Sequence, residues 1–316
     1  MIAERTALFN RVNRVIGIDL GGGKGKRTAV AVGEVSSVGL EIISYGTRSR
    51  QGSPWFDEPL IAFLLGQPEG TKVCIDAPLG LPSCVRCVQP VCPGLASCPD
   101  PAVRWMRTTG LAMEREHRCS KAGAKAGARS GSKPGAMSSP PMSRPAAGPE
   151  SGSKPGSKPG SKPLITPYTQ RVCEIRLRCL WDIQPRETLG QGMGPLTARG
   201  AHLTRALAGR FPRDQELLEV YPKATIHRLA GEGPARGYKR ETDTWSMRAR
   251  LLEEWSQGLS FKAWREDSLQ CDHSFDAVVC AYTGYLAATQ GWRVASGYEE
   301  IAALEGWIWF PGDGEG

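Results

Sequence analysis

The sequence has no apolar run approaching the ~20 residues that a membrane-spanning helix requires. Its first fourteen residues mix Glu4, Arg5, Arg11 and Arg14 with apolar side chains and hold no secretory apolar core. Both absences point to a cytoplasmic protein with no membrane partner. Histidine is scarce, at 4 residues, and His117, His202, His227 and His273 follow no metal-binding spacing. Only His273, beside Asp272, is near a candidate site. Outside one segment the chain also lacks net charge. Between Ser120 and Pro163, eight lysines and arginines face Glu150 alone, a net +7 out of the chain's +8. The remaining body has little of the cationic field on which strong nucleic-acid binding draws.

What is present is an ordinary soluble composition, 40% hydrophobic and 23% charged over 316 residues. That length suits two domains, or one large domain with an insertion. The segment 120–163 collapses to Gly, Ser, Pro, Ala and Lys, and Gly-Ser-Lys-Pro recurs at Gly131, Gly152, Gly156 and Gly160. With almost no large apolar residue to offset its ordering entropy, it is expected to be disordered. A repeat expansion in a tolerant surface loop is the favoured reading, ahead of a cationic arm that brushes nucleic acid. Residues 1–119 and 164–316 then form the two parts of one interrupted domain.

The most informative stretch is Val15-Ile16-Gly17-Ile18-Asp19, followed by a glycine and lysine turn and the β-branched run Thr28–Val32. It reads as a β-hairpin with an unneeded acid at the end of its first strand. Leu40–Gly46 supplies a third antiparallel strand, and Phe56–Gly66 a short apolar helix. Lys72–Asp76 is a second apolar run ending in aspartate, and its place after a helix suits a parallel partner of the first strand. Helices are expected at Arg104–Arg107, Thr197–Gly209, Lys223–Ala230, Thr244–Trp255 and Asp272–Ala288. Strands are expected at Glu216–Pro222 and Gly306–Pro311.

If the two aspartate-ended strands are adjacent and parallel, Asp19 and Asp76 lie side by side where α/β sheets bind ligands. Glu219 can reach the same edge, and Asp272 and Asp276 share one helix face at i,i+4. Such carboxylates make an oxygen-ligand site suited to Mg²⁺ or Mn²⁺. Duller roles exist for each: Asp272 as a helix cap, Glu219 as a partner of Lys223 or Arg205, Asp19 bonded to its own glycine turn.

Val15–Asp19, Ile75–Pro82, Glu219-Val220-Tyr221-Pro222, Tyr238-Lys239, Asp272–Ala277 and Gly306–Pro311 together resemble the family known as domain of unknown function 429. That family is described as ribonuclease H-like nucleases. The resemblance implies a mixed sheet flanked by helices and two-metal phosphodiester hydrolysis. Asp19 would be the bridging ligand, Asp76 and Asp276 would complete the pair, and Asp272 and Glu219 would support them. Lys239, by resemblance, and Lys24, by its place in the glycine turn, would contact the phosphate of a nucleic acid or nucleotide. Two other readings stand beside this one. A non-catalytic binding module of the same fold is the first. An ATP-dependent phosphotransferase of the actin and hexokinase superfamily is the second, from Asp19-Leu20-Gly21, although the later half has no second such hairpin.

Ten cysteines in a reducing compartment point to metal rather than disulfides. Cys84, Cys87, Cys92 and Cys98 are spaced C-x2-C-x4-C-x5-C, and four thiolates would hold a structural zinc. Cys119 is a spare. Cys74, Cys173, Cys179, Cys271 and Cys280 read as small buried hydrophobes.

Overall fold

Alternation along the first strand assigns the two faces of the sheet. In β1 (Arg14–Asp19), Ile16 and Ile18 enter one hydrophobic cluster, while Val15 enters the other. The computed structural model describes residues 12–23, 27–49, 51–129, 165–240, 243–262 and 265–312. With β2 (Ala29–Ser36), β3 (Gly39–Gly46), β4 (Thr71–Asp76), β5 (Leu217–Val220), β6 (Leu259–Phe261) and β7 (Ile308–Trp309), β1 forms one seven-stranded sheet. Its order is β6-β3-β2-β1-β4-β5-β7. β1, β2 and β3 are the expected antiparallel meander, and β4, β5 and β7 extend it in parallel from β1. Strands from both sides of the Gly/Ser/Lys/Pro segment therefore share one mixed sheet. Only three residues long, β6 carries too little pattern to be seen in advance; it pairs with β3.

The longer helices are α1 (Asp57–Leu65), α2 (Leu111–Arg129), α3 (Val172–Trp181), α4 (Gly194–Leu207), α5 (Pro222–Ala230), α6 (Thr244–Glu254), α7 (Asp272–Gln290) and α8 (Glu299–Glu305). Leu60 and Leu64 of α1 and Leu203 and Leu207 of α4 cover Ile16, Ile18, Val73 and Ile75 on one face. On the other face α7 lies across β1, β2 and β4, with Phe275, Val278 and Val279 in the cluster that holds Val15, Cys74 and Leu218. A helix buried on nearly every side needs apolar residues all round, hence its composition. α7 also sits unusually close to the sheet. A Cβ at Gly17 would stand 2.0 Å from the Ala277 carbonyl oxygen, and one at Gly284 would stand 2.2 Å from the Cys74 sulfur.

One expectation needs correction. α2 continues to Arg129, well inside the segment expected to be disordered from Ser120. Its Lys-Ala-Gly-Ala-Lys-Ala-Gly-Ala-Arg tail is rich in alanine, lysine and arginine, which favour helix more than the glycines oppose it. Residues 130–164, with the Gly-Ser-Lys-Pro repeats, lie outside the described residues. Among the described residues, no helix is long and apolar enough to cross a membrane.

Candidate metal centre

Asp19 and Asp76 are direct neighbours in the parallel β1–β4 register, at the C-terminal ends of both strands. Period-two alternation turns both side chains to the face occupied by α7, where the first turns of that helix hold Asp276. One carboxylate oxygen from each of Asp19, Asp76 and Asp276 lies within 4.8 Å of the others. Among the described residues, no other group of three or more His, Cys, Asp or Glu ligand atoms meets in this way.

The environment of the trio is costly without a cation. Asp276 is fully buried, its Oδ1 has no hydrogen-bond partner among the described residues, and its Oδ2 accepts from Lys239 Nζ. Burial, with the Asp19 charge adding to it and Lys239 opposing, pushes the Asp276 carboxyl up to about 7. Asp76 is driven well above the usual carboxylate range, first by burial and then by the charges of Asp19 and Asp276. Asp19 keeps 14% of its side chain exposed, and His273 Nδ1 lies 2.5 Å from its Oδ2. That hydrogen bond raises the His273 pKa. An unpartnered buried oxygen among three crowded carboxylates fits a divalent cation, which would satisfy the oxygen and remove the repulsion.

The other expected ligands fare differently. Glu219 faces the same pocket, but its oxygens are already engaged. Arg171 Nη1 donates to Oε2 at 2.8 Å and Nη2 to Oε1 at 2.5 Å, and the Leu79 N–H donates to Oε2 at 2.8 Å. Paired in this forked manner, Glu219 braces Arg171, and its partner is neither Lys223 nor Arg205. Asp272 occupies the first position of α7 and accepts from the His273 N–H at 3.1 Å; its oxygens are outside the group of three. Lys239 does reach the site, as the partner of Asp276. Lys24 lies outside the described residues.

The brace extends further than the sequence suggested. Arg171 Nε also donates to Glu174 at 3.1 Å and to Thr188 Oγ1 at 2.7 Å, and all these groups are buried. Glu305 accepts from the Ser83 N–H at 3.1 Å and the Val172 N–H at 3.0 Å. Together they tie the turn after Asp76 to the start of α3 and the end of α8. No periodic pattern marks Arg171, Glu174 or Glu305 for this role; an arginine three residues before a glutamate is the only local hint.

Cys84, Cys87, Cys92 and Cys98 lie on the stretch after β4, the first three exposed and Cys98 half-buried. The other three thiols are close enough to act on Cys84, whose pKa is raised by burial and then by Cys98, Cys92 and Cys87. Their sulfurs are not drawn into a single group within 4.8 Å. Cys74, Cys173 and Cys280 are buried as expected; Cys179 and Cys271 are only half-buried.

A family model described as Protein of unknown function (DUF429) matches residues 17–297, from the middle of β1 to beyond α7. The chain belongs to the DUF429 family. No curated protein and no solved structure matches it. In this DUF429 chain Asp19 and Asp76 line the floor of a pocket of about 540 Å³ at the C-terminal ends of β1, β4, β5 and β7, with Asp276 buried beside them. Its walls include Arg186, Tyr221, Lys223, Arg236, Lys239 and Arg240. Acid on the floor and cation on the walls suit a phosphate-bearing ligand held through a divalent ion.

Proposed function

We propose that the chain is a metal-dependent phosphodiester hydrolase of ribonuclease H-like fold, acting on a nucleic acid or nucleotide. The observation that carries this reading is the convergence of Asp19, Asp76 and Asp276 within one cation's reach. The order of its parts favours the fold: a hairpin strand ending in Asp19, a parallel neighbour ending in Asp76, and a late helix bearing Asp276. Asp19 would serve as the bridging ligand, with Asp76 and Asp276 completing the set. Mg²⁺ or Mn²⁺ held there would supply an activated water and stabilise the leaving oxygen.

The chain's own residues prepare that chemistry. His273 holds Asp19 in one orientation, and Lys239 compensates Asp276 at Oδ2 while leaving Oδ1 free to ligate. The Arg171–Glu219 pair fixes the Asp76–Leu79 turn from behind. A separate structural zinc on Cys84, Cys87, Cys92 and Cys98 would stiffen the stretch that follows.

The test is hydrolysis of single- and double-stranded DNA and RNA and of nucleotides by the purified chain, with Mg²⁺, Mn²⁺ or a chelator. Cleavage is expected only with metal, and Asp19→Asn should lower its rate on the order of 10³-fold. A rate that Asp19→Asn leaves unchanged would falsify the assignment.

A further inference from the structure

The pocket wall carries a second constellation that the three acids do not use. Lys223 lies in the first turn of α5, where the positive end of the helix disfavours a cation. Burial lowers the Lys223 pKa, and the charges of Arg240 and Arg236 add to that. The nearby acids already have partners: Asp182 pairs with Lys121 and His117, and Glu232 pairs with Arg236. Among the described residues, Lys223, Arg186 and Arg240 have no ion-pair partner. Positive charges gathered in this way oppose folding, and a chain that keeps them at a pocket mouth gains something else in return.

These three cations, without an ion-pair partner among the described residues, line the same cavity as Asp19, Asp76 and Lys239. An anion entering between floor and wall would meet the metal-binding acids on one side and these cations on the other. At about 540 Å³ the cavity suits a ligand of one or two nucleotides and is too small for a duplex. We propose that Lys223, Arg240 and Arg186 form a subsite for the phosphate next to the one attacked at the carboxylates. The substrate then has at least two phosphates in sequence, as a free nucleoside polyphosphate or as the phosphorylated end of a single strand. This inference rests on the hydrolase reading for its orientation, but its binding component is measurable without turnover.

The experiment is calorimetric titration of the full-length protein, in chelator and in Mg²⁺. The ligands are a nucleoside triphosphate, a short 5′-phosphorylated single strand and its 5′-hydroxyl counterpart. Lys223→Gln and Arg240→Gln, which keep most of the stem and drop the charge, are each expected to weaken binding about ten-fold. For the strand, each should lower the salt slope by about one. The Lys-rich segment is identical in every variant, so its contribution cancels in the comparison. Weakening confined to the triphosphate identifies a free nucleotide; loss of the 5′-phosphate preference identifies a strand end. Equal affinities of the native chain and both variants for all three ligands would overturn the subsite. Charge-dependent binding with no hydrolysis of any substrate would leave the subsite standing and remove the hydrolase reading. Hydrolysis whose KM ignores both variants would do the reverse.

Discussion

Gly17 and Ala277 are in backbone contact, with no room for a methyl group between β1 and α7. That approach brings Asp276 of α7 down to Asp19 and Asp76. Gly17→Ala is expected to lift the helix, cost about 3 kcal/mol of stability and weaken Mg²⁺ binding. Denaturant unfolding and metal titration of the variant measure both. Unchanged values in the two assays would mean that the close approach does not hold the third acid in place.

The metal-free protein should lose stability as the pH rises. Folded Asp276 keeps its proton up to about pH 7, whereas an unfolded aspartate releases it near 4. Between those values the native state binds the extra proton, so unfolding becomes easier with increasing pH. Asp76 acts in the same direction. So does His273, whose raised pKa gives stability present below its unfolded value and lost as the pH passes the folded one. Mg²⁺ binds the deprotonated acids and should offset the loss at the alkaline end. Melting curves from pH 4 to 8 in chelator and in Mg²⁺ should diverge as the pH rises; superimposable profiles would speak against a cation at these acids.

Removing one member of the Arg171–Glu219 pair leaves an uncompensated buried charge. Arg171→Met should therefore cost about 3–5 kcal/mol. Glu219→Gln keeps the shape and a carbonyl for the Leu79 N–H, and should reduce Mg²⁺ affinity far less than Asp76→Asn. Equal losses in the two variants would return Glu219 to the ligand set.

A zinc held by four thiolates should copurify at about one ion per chain. It should be lost in Cys87→Ser and Cys92→Ser, while a carboxylate variant such as Asp276→Asn retains it. Protein prepared without chelator and found free of zinc would dispose of the site.

Much of the site was legible because its acids break simple patterns. Asp19 and Asp76 each end an apolar run, and a strand after a helix pairs in parallel, which places the two together. Asp276 stands out as an acid beyond the first turn of an apolar helix. The partner of Glu219 is not legible in the sequence, because Arg171 is 48 residues away on a stretch whose buried Glu174, Arg176 and Arg178 conceal any helical period. The cations of the pocket wall are legible only in three dimensions. Arg186 lies between regular elements, and Arg236 and Arg240 follow α5 in a short helix and turn that carry no strong pattern.

The pairing of Asp19 with Asp76 also determines who sets the gap between them. Adjacent strands are about 4.8 Å apart wherever main chains bond laterally, so the spacing of these two acids comes from the peptide backbone and owes nothing to the identity of flanking residues. Neighbouring positions are free to vary without disturbing it, but a slip of β4 by a single residue would turn Asp76 toward α1 and α4 and leave Asp19 without its companion.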